Sequence, residues 1–277
     1  MYKHLVTSGC SFSDNFLTRW PKVLAQRMNA ELYNRGQGSA GNDWIADSAI
    51  YQASTLLQAG TPSDEILVVV MWSGIDRSGI LISEAESPLW KDIVSMREQH
   101  TMPNPVAFIG QEPSRNISPT EPLNRGWLLG SVNCQYANPV IQRYKQQFVT
   151  RFHTNESLLL QSLNNWLKLQ WFCTANKLKL VNLTYQNIWH FPHYPYDSNH
   201  SPAGLGLEWS SSRIVYSDYE YLYSQLNMDN WLFYRDTDGM YEWCYNEGSG
   251  FYSDNWHPTD ASHVKYVDEF LWPKLKP

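Results

Sequence analysis

Seven consecutive apolar residues, Ile66-Leu67-Val68-Val69-Val70-Met71-Trp72, set the tightest limit on how this chain folds. A valine-rich run without a polar face predicts a strand covered on both sides, the usual condition of a parallel sheet. The flanking segments agree. Residues 4–8 and 30–34 read as two further strands. Between them, Phe16, Trp20, Val23, Leu24 and Arg27 follow three- and four-residue steps, which predicts a helix over 16–28. Pro21 is tolerable in its first turns or marks its true start. A helix over about 43–59 is stopped by Gly60-Thr61-Pro62-Ser63. Further on, Leu160, Leu163, Leu167 and Trp171 predict one apolar stripe on a helix over 155–176, with Thr154 or Asn155 as its cap. Lys179–Thr184 reads as a strand and 259–271 as a closing helix.

This alternation predicts an α/β fold, a central parallel sheet with helices on both faces. The whole chain, 1–277, reads as one domain with two insertions, at about 78–150 and 186–253, where periodicity is weak; local helix is expected near 88–98. Sites in such folds gather at the carboxyl ends of the strands. Ser11, the glycine-rich stretch 36–41 and Ser73 each follow a predicted strand directly, so they are expected to share one edge.

Composition narrows the function classes. The net charge is -6 and no block of Lys and Arg runs along the chain, so a phosphate-tracking surface and a nucleic-acid partner are not expected. No apolar run reaches the roughly 20 residues that span a bilayer. Met1-Tyr2-Lys3-His4 leads straight into a strand without an apolar leader, so the expected setting is cytoplasmic or phage-associated, away from membranes. Cys10, Cys134, Cys173 and Cys244 are scattered without a C-x-x-C pair, which fits free thiols. His190, His193 and His200, with Asp197, lack zinc spacing, so no metal is expected. The 13 Trp and 17 Tyr admit two readings, an aromatic core with aromatic loops or a surface on which sugars stack.

Three stretches carry chemistry. Gly9-Cys10-Ser11-Phe12 follows the first strand, and alternation lets only one of Cys10 and Ser11 face a site there. Asp254-Asn255-Trp256-His257-Pro258 supplies an Asp-x-x-His pair near the other end. A hydroxyl and such a pair are parts of a serine hydrolase. Gly36-Gln37-Gly38-Ser39-Ala40-Gly41 matches G-x-G-x-x-G. A dinucleotide site is disfavoured because the stretch follows the second strand, and the third ends in Trp72-Ser73 without an acidic residue for a ribose. No cofactor is expected. Two roles stay open: a tight turn with positive φ at a glycine, or a backbone that brings N–H groups close to a developing oxyanion.

Together these residues resemble the SGNH/GDSL hydrolase family. Its G-D-S block appears here as Gly9-Cys10-Ser11, in a variant that looks like a bacterial and phage-associated G-C-S-F branch. Its second block resembles Asn34–Asn42, and its final D-x-x-H matches Asp254 and His257. The third block departs: where the family has G-x-N-D, this chain has Trp72-Ser73-Gly74-Ile75-Asp76-Arg77. The resemblance implies a three-layer α/β/α sandwich of flavodoxin-like topology. It also implies a triad of Ser11, His257 and Asp254, with an oxyanion hole drawn from Ser11, Gly38 and Ser39. Asn42 or Ser73 would replace the missing asparagine. The implied activity is hydrolysis of a small ester, with O-deacetylation of a carbohydrate the favoured class. A lipid esterase or thioesterase stays open, as does a catalytically weak or inactive glycan-binding relative in a phage or surface assembly. Arg77 is expected to pair with Asp76 or another carboxylate, and His263 to be structural.

Overall fold

The computed structural model describes residues 2–14, 18–75, 77–83, 85–88, 90–92, 106–107, 125–131, 139–140, 142–143, 147, 154–188, 216–253 and 257–276. Its centre is a four-stranded sheet of β1 (His4–Gly9), β2 (Glu31–Asn34), β3 (Ile66–Trp72) and β7 (Lys179–Thr184). The order is β2-β1-β3-β7 and every pairing is parallel. All seven residues of β3 are buried, as an uninterrupted apolar strand requires.

Helices α1 (Trp20–Met28), α2 (Asn42–Gln58) and α3 (Asn155–Ala175) connect these strands. The chain steps from β1 outward to β2 through α1, then back across β1 to β3 through α2, and onward to β7 after α3. Right-handed crossovers in opposite directions carry α1 to one face and α2 and α3 to the other. Packing agrees: α2 lies on β1, β3 and α3, whereas α1 lies on β2 and on α5 (Asp260–Tyr266), which continues through a π-turn, Val267–Leu271. A buried hydroxyl pair, Ser8 and Ser48, joins β1 to α2 at 2.9 Å.

Three sequence expectations need correction. Helix α1 begins at Trp20, with Pro21 at its start where a missing N–H costs nothing; Phe16 lies outside the described residues. Trp171 is 52% exposed, so the buried stripe of α3 runs instead through Leu159, Leu163, Trp166, Leu167 and Cys173. Thr154 does cap α3, in a reciprocal capping box with Ser157. The first insertion carries a second, antiparallel sheet of β4 (Arg77–Ser83), β5 (Val106–Ala107) and β6 (Arg125–Ser131), in the order β4-β6-β5. Of the helix expected near 88–98, Trp90–Asp92 is helical; residues 89 and 93–98 lie outside the described set. The second insertion includes α4 (Met240–Asn246).

Much of the aromatic content is core. Trp72 meets Trp166 at 6.3 Å between ring centroids, Trp166 meets Trp231 edge-on at 5.4 Å, and Trp231 stacks on Phe233 at 5.7 Å. The Trp72 indole N–H donates to the Asn182 side chain at 3.0 Å, which satisfies its one polar atom within the core. Among the described residues no helix is long and apolar enough to cross a membrane.

Candidate active site

The carboxyl ends of β1, β2, β3 and β7 lead into four segments that meet: Cys10–Asp14, Arg35–Gly41, Ser73–Ile75 with Arg77, and Tyr185. Zipping of the first two is extensive. The Gln37 N–H donates to the Gly9 carbonyl at 2.9 Å, and Asp14 bridges to Gly36. Asn34 serves both sides. Its Oδ1 accepts from the Thr7 hydroxyl and the Gly36 N–H, each at 2.9 Å, and its Nδ2 donates to the Ser13 carbonyl at 2.7 Å. The approach is close enough to exclude side chains. A Cβ on Gly36 would stand 2.1 Å from the Ser13 carbonyl oxygen, and one on Gly9 would stand 2.3 Å from Ser13 Oγ.

Ser11 sits in the tight turn closed by the Ser13 N–H on the Cys10 carbonyl at 2.8 Å. Helix α1 starts only at Trp20, so Ser11 does not belong to its first turn. The turn places the two neighbours differently. Cys10 is fully buried in the core, whereas Ser11 is half-buried and its Oγ lies 2.8 Å from His257 Nε2. Cys173 and Cys244 are also buried, and burial pushes their thiols up to about 12, away from nucleophilic range. Cys134 lies outside the described residues.

The His257 segment is held by pairing with the chain just before it. The Tyr252 N–H donates to the His257 carbonyl at 2.9 Å, and Phe251 bridges antiparallel to Pro258. Phe12 packs against the imidazole at 5.5 Å, Tyr185 meets Phe12 edge-on at 5.4 Å, and the Arg77 guanidinium lies 5.3 Å over the Tyr185 ring. Asp254, the third expected member of the triad, lies outside the described residues, as do Asp76 and the histidine-rich stretch with His190, His193, Asp197 and His200.

The five expected oxyanion donors have different fates. Among the described residues the N–H groups of Ser11 and Gly38 meet no protein acceptor, whereas the Ala40 N–H is bonded to the Gln37 carbonyl at 3.1 Å. Gly38 also has open space where a side chain would stand. Positive φ in this turn falls on Ser39, at 66°, rather than on a glycine. Asn42 and Ser73 are committed elsewhere. The Asn42 amide donates to Ser162 Oγ at 3.0 Å, and its Oδ1 accepts the Ser73 N–H at 2.9 Å. Both residues are buried, and the Ser73 hydroxyl has no partner among the described residues. Neither supplies a side-chain amide in place of the missing asparagine.

Sequence reasoning missed two supporting residues. Asp43, at the start of α2, accepts the Gly79 N–H at 2.5 Å and the Trp44 N–H at 2.7 Å, so it fastens β4 to the main sheet's helices. Desolvation pushes its carboxyl up to about 6 against the pull of both N–H groups. Arg19 is the other. Its Nη1 donates to the Pro258 carbonyl at 3.1 Å and lies 3.1 Å from His263 Nε2. The Trp20 N–H faces the other ring nitrogen of His263 at 3.3 Å. An imidazolium there would set donor against donor on both sides. Burial, with the Arg19 charge beside it, accordingly holds the His263 pKa well below the usual histidine range. His263 is structural, as expected. Neither residue carries a motif, and only the fold reveals them.

Residues 13–111 match the profile of a family of unknown function, DUF6071. That stretch starts two residues after Ser11 and ends well before His257. No curated protein and no solved structure matches the chain.

Proposed function

We propose that the protein is a serine esterase of SGNH/GDSL type. The observation that carries this reading is the 2.8 Å contact between Ser11 Oγ and His257 Nε2, made at the carboxyl edge of a parallel sheet. With the ring proton on Nδ1, the Ser11 hydroxyl donates to Nε2, the arrangement from which a serine is activated. Ser11 attacks an ester carbonyl while His257 takes its proton. The tetrahedral oxyanion is held by the N–H groups of Ser11 and of Gly38 or Ser39. His257 then protonates the departing alcohol, and a water activated by the same ring releases the acid and restores Ser11. Asp254, three residues before His257 in the family's last block, orients the imidazole. The strand order β2-β1-β3-β7 and the helix pairs on either side support the three-layer form of the family. The substrate class is a small ester, with an O-acetylated carbohydrate favoured by the aromatic and polar second insertion.

A second reading has its own observation. Asn42 and Ser73 are tied to each other, so the oxyanion site rests on backbone donors alone; losing one donor typically costs about 3 kcal/mol of transition-state stabilisation. That favours a weak or inactive relative that binds glycans through the same cleft.

Turnover of p-nitrophenyl acetate and longer-chain esters, by the wild type beside Ser11→Ala and His257→Ala, separates the two. The esterase reading expects each variant, still folded by circular dichroism, to lose roughly 10⁴-fold or more in kcat, with acetate preferred. Equal inactivity of all three, also toward an acetylated-glycan panel, overturns it in favour of glycan binding.

A further inference from the structure

We infer that Arg19 is a positioning residue that sets the distance between Ser11 and His257. The inference rests on the esterase reading above for its catalytic consequence, though not for the clamp itself.

The two reacting side chains come from segments 246 residues apart, and neither segment belongs to a strand of the sheet. Something must hold one against the other, because a misplacement of about 1 Å costs on the order of 100-fold in rate. Arg19 touches both segments. On the nucleophile side, its Nε lies 3.6 Å from Asp14 Oδ1, three residues beyond Ser11. On the histidine side, its Nη1 donates to the carbonyl of Pro258, the residue after His257. Its guanidinium also lies 5.7 Å over the ring of Tyr252, whose N–H donates to the His257 carbonyl and whose hydroxyl donates to Asp260 at 2.7 Å. Asp260 in turn accepts the Thr18 N–H at 3.3 Å, a second tie between the same two regions. A fourth contact, to neutral His263, fixes the fork from the α5 side.

Arg19 is 5% exposed. A planar, permanently charged guanidinium can donate to a carbonyl while lying against a carboxylate and an imidazole, which a lysine's point charge does less well. Removing it takes the charge partner from the Asp14 carboxylate and the donor from the Pro258 carbonyl, and leaves the Thr18–Asp260 bond, the Phe12–His257 ring contact and the Ser11–His257 contact to join the two segments.

The test compares Arg19→Gln, Arg19→Lys and Asp14→Asn with the wild type. Three quantities are measured: kcat and KM on p-nitrophenyl acetate, the rate of Ser11 labelling by a fluorophosphonate, and hydrogen exchange at the Tyr252 amide. Arg19→Gln is expected to lower kcat about 10- to 100-fold with KM changed less than about twofold, and to slow labelling in parallel. Arg19→Lys is expected to recover part of the loss. Exchange at Tyr252 is expected to rise about tenfold or more in Arg19→Gln while amides of β1 and β3 keep their protection. A folded Arg19→Gln with wild-type kcat, labelling and Tyr252 exchange overturns the inference. A loss of kcat that follows global melting, without selective exchange at Tyr252, overturns it as well. Should Arg19→Gln fail to fold, Arg19→Lys and Asp14→Asn carry the same readouts. If the wild type itself neither turns over esters nor is labelled, the esterase reading falls, and Tyr252 exchange still decides the clamp.

Discussion

The Asn34 side-chain amide donates to the Ser13 carbonyl at 2.7 Å, one of several bonds that tie the turn carrying Ser11 to the glycine-rich turn beside it. Backbones brought this close leave no volume for a side chain at Gly36, whereas Gly38, two residues on, borders open space.

The two glycines therefore separate folding from chemistry. Gly36→Ala is expected to destabilise the protein by about 1–3 kcal/mol, because the Ser13 backbone must move. Gly38→Ala is expected to leave stability within about 1 kcal/mol of the wild type, its φ being ordinary and its surroundings open. Its effect appears instead in kcat/KM for esters, where the added methyl narrows the approach to the backbone donors. Urea unfolding beside ester turnover checks both.

Thiol chemistry gives an independent check on the nucleophile. Cys10 adjoins Ser11 yet lies wholly within the core. Iodoacetamide is expected to leave esterase activity intact in the folded protein, and Cys10→Ala to retain at least about a third of wild-type kcat. A fluorophosphonate is expected to abolish activity with one label, on Ser11, found by peptide mass mapping. Inactivation by the thiol reagent would reassign the nucleophile.

The Asp43 clasp predicts a pH dependence of stability. Its carboxyl ionises near 6 in the folded chain and at the ordinary 3.8 once unfolded. The folded state thus takes up its proton first. Its contribution is fully present below about 3.8 and is lost as pH rises through about 6. Asp43→Asn lacks this term, so the Tm of Asp43→Asn minus that of the wild type should increase between pH 4 and pH 7. His263 works in the opposite sense: it stays neutral when folded, so stability falls as pH drops below about 6.5, where the unfolded ring takes a proton. Both proteins share His263, and its effect cancels in the difference. A flat difference across that range would remove the desolvated-carboxylate account.

The core of the fold was legible because burial writes itself into sequence. β3 shows it as an unbroken apolar run, α2 by its stop at Gly60, and α3 by the Thr154 cap. The antiparallel sheet was not legible. β4 is half-exposed along almost its whole length and Leu81 is 53% exposed, so no alternation marks an inner face. Trp171 misled for the opposite reason, a large apolar residue in the right phase that nonetheless faces solvent. In the site, Ser11 and His257 stood out by motif. That Asn42 is spent on Ser73 and Ser162 could not be read, since an asparagine's partners are fixed only by the packing of α2 against α3.

The 246-residue separation of Ser11 and His257 also has a consequence in time. Closing so long a loop costs roughly 2 kcal/mol more than closing one of 20 residues. During synthesis the sheet strands β1, β2, β3 and β7 are all complete by Thr184, long before the histidine leaves the ribosome. The scaffold can therefore form first, and a chain cut short anywhere ahead of residue 257 carries Ser11 without the imidazole that the proposed esterase requires. On the esterase reading, hydrolytic competence is acquired only after the sheet.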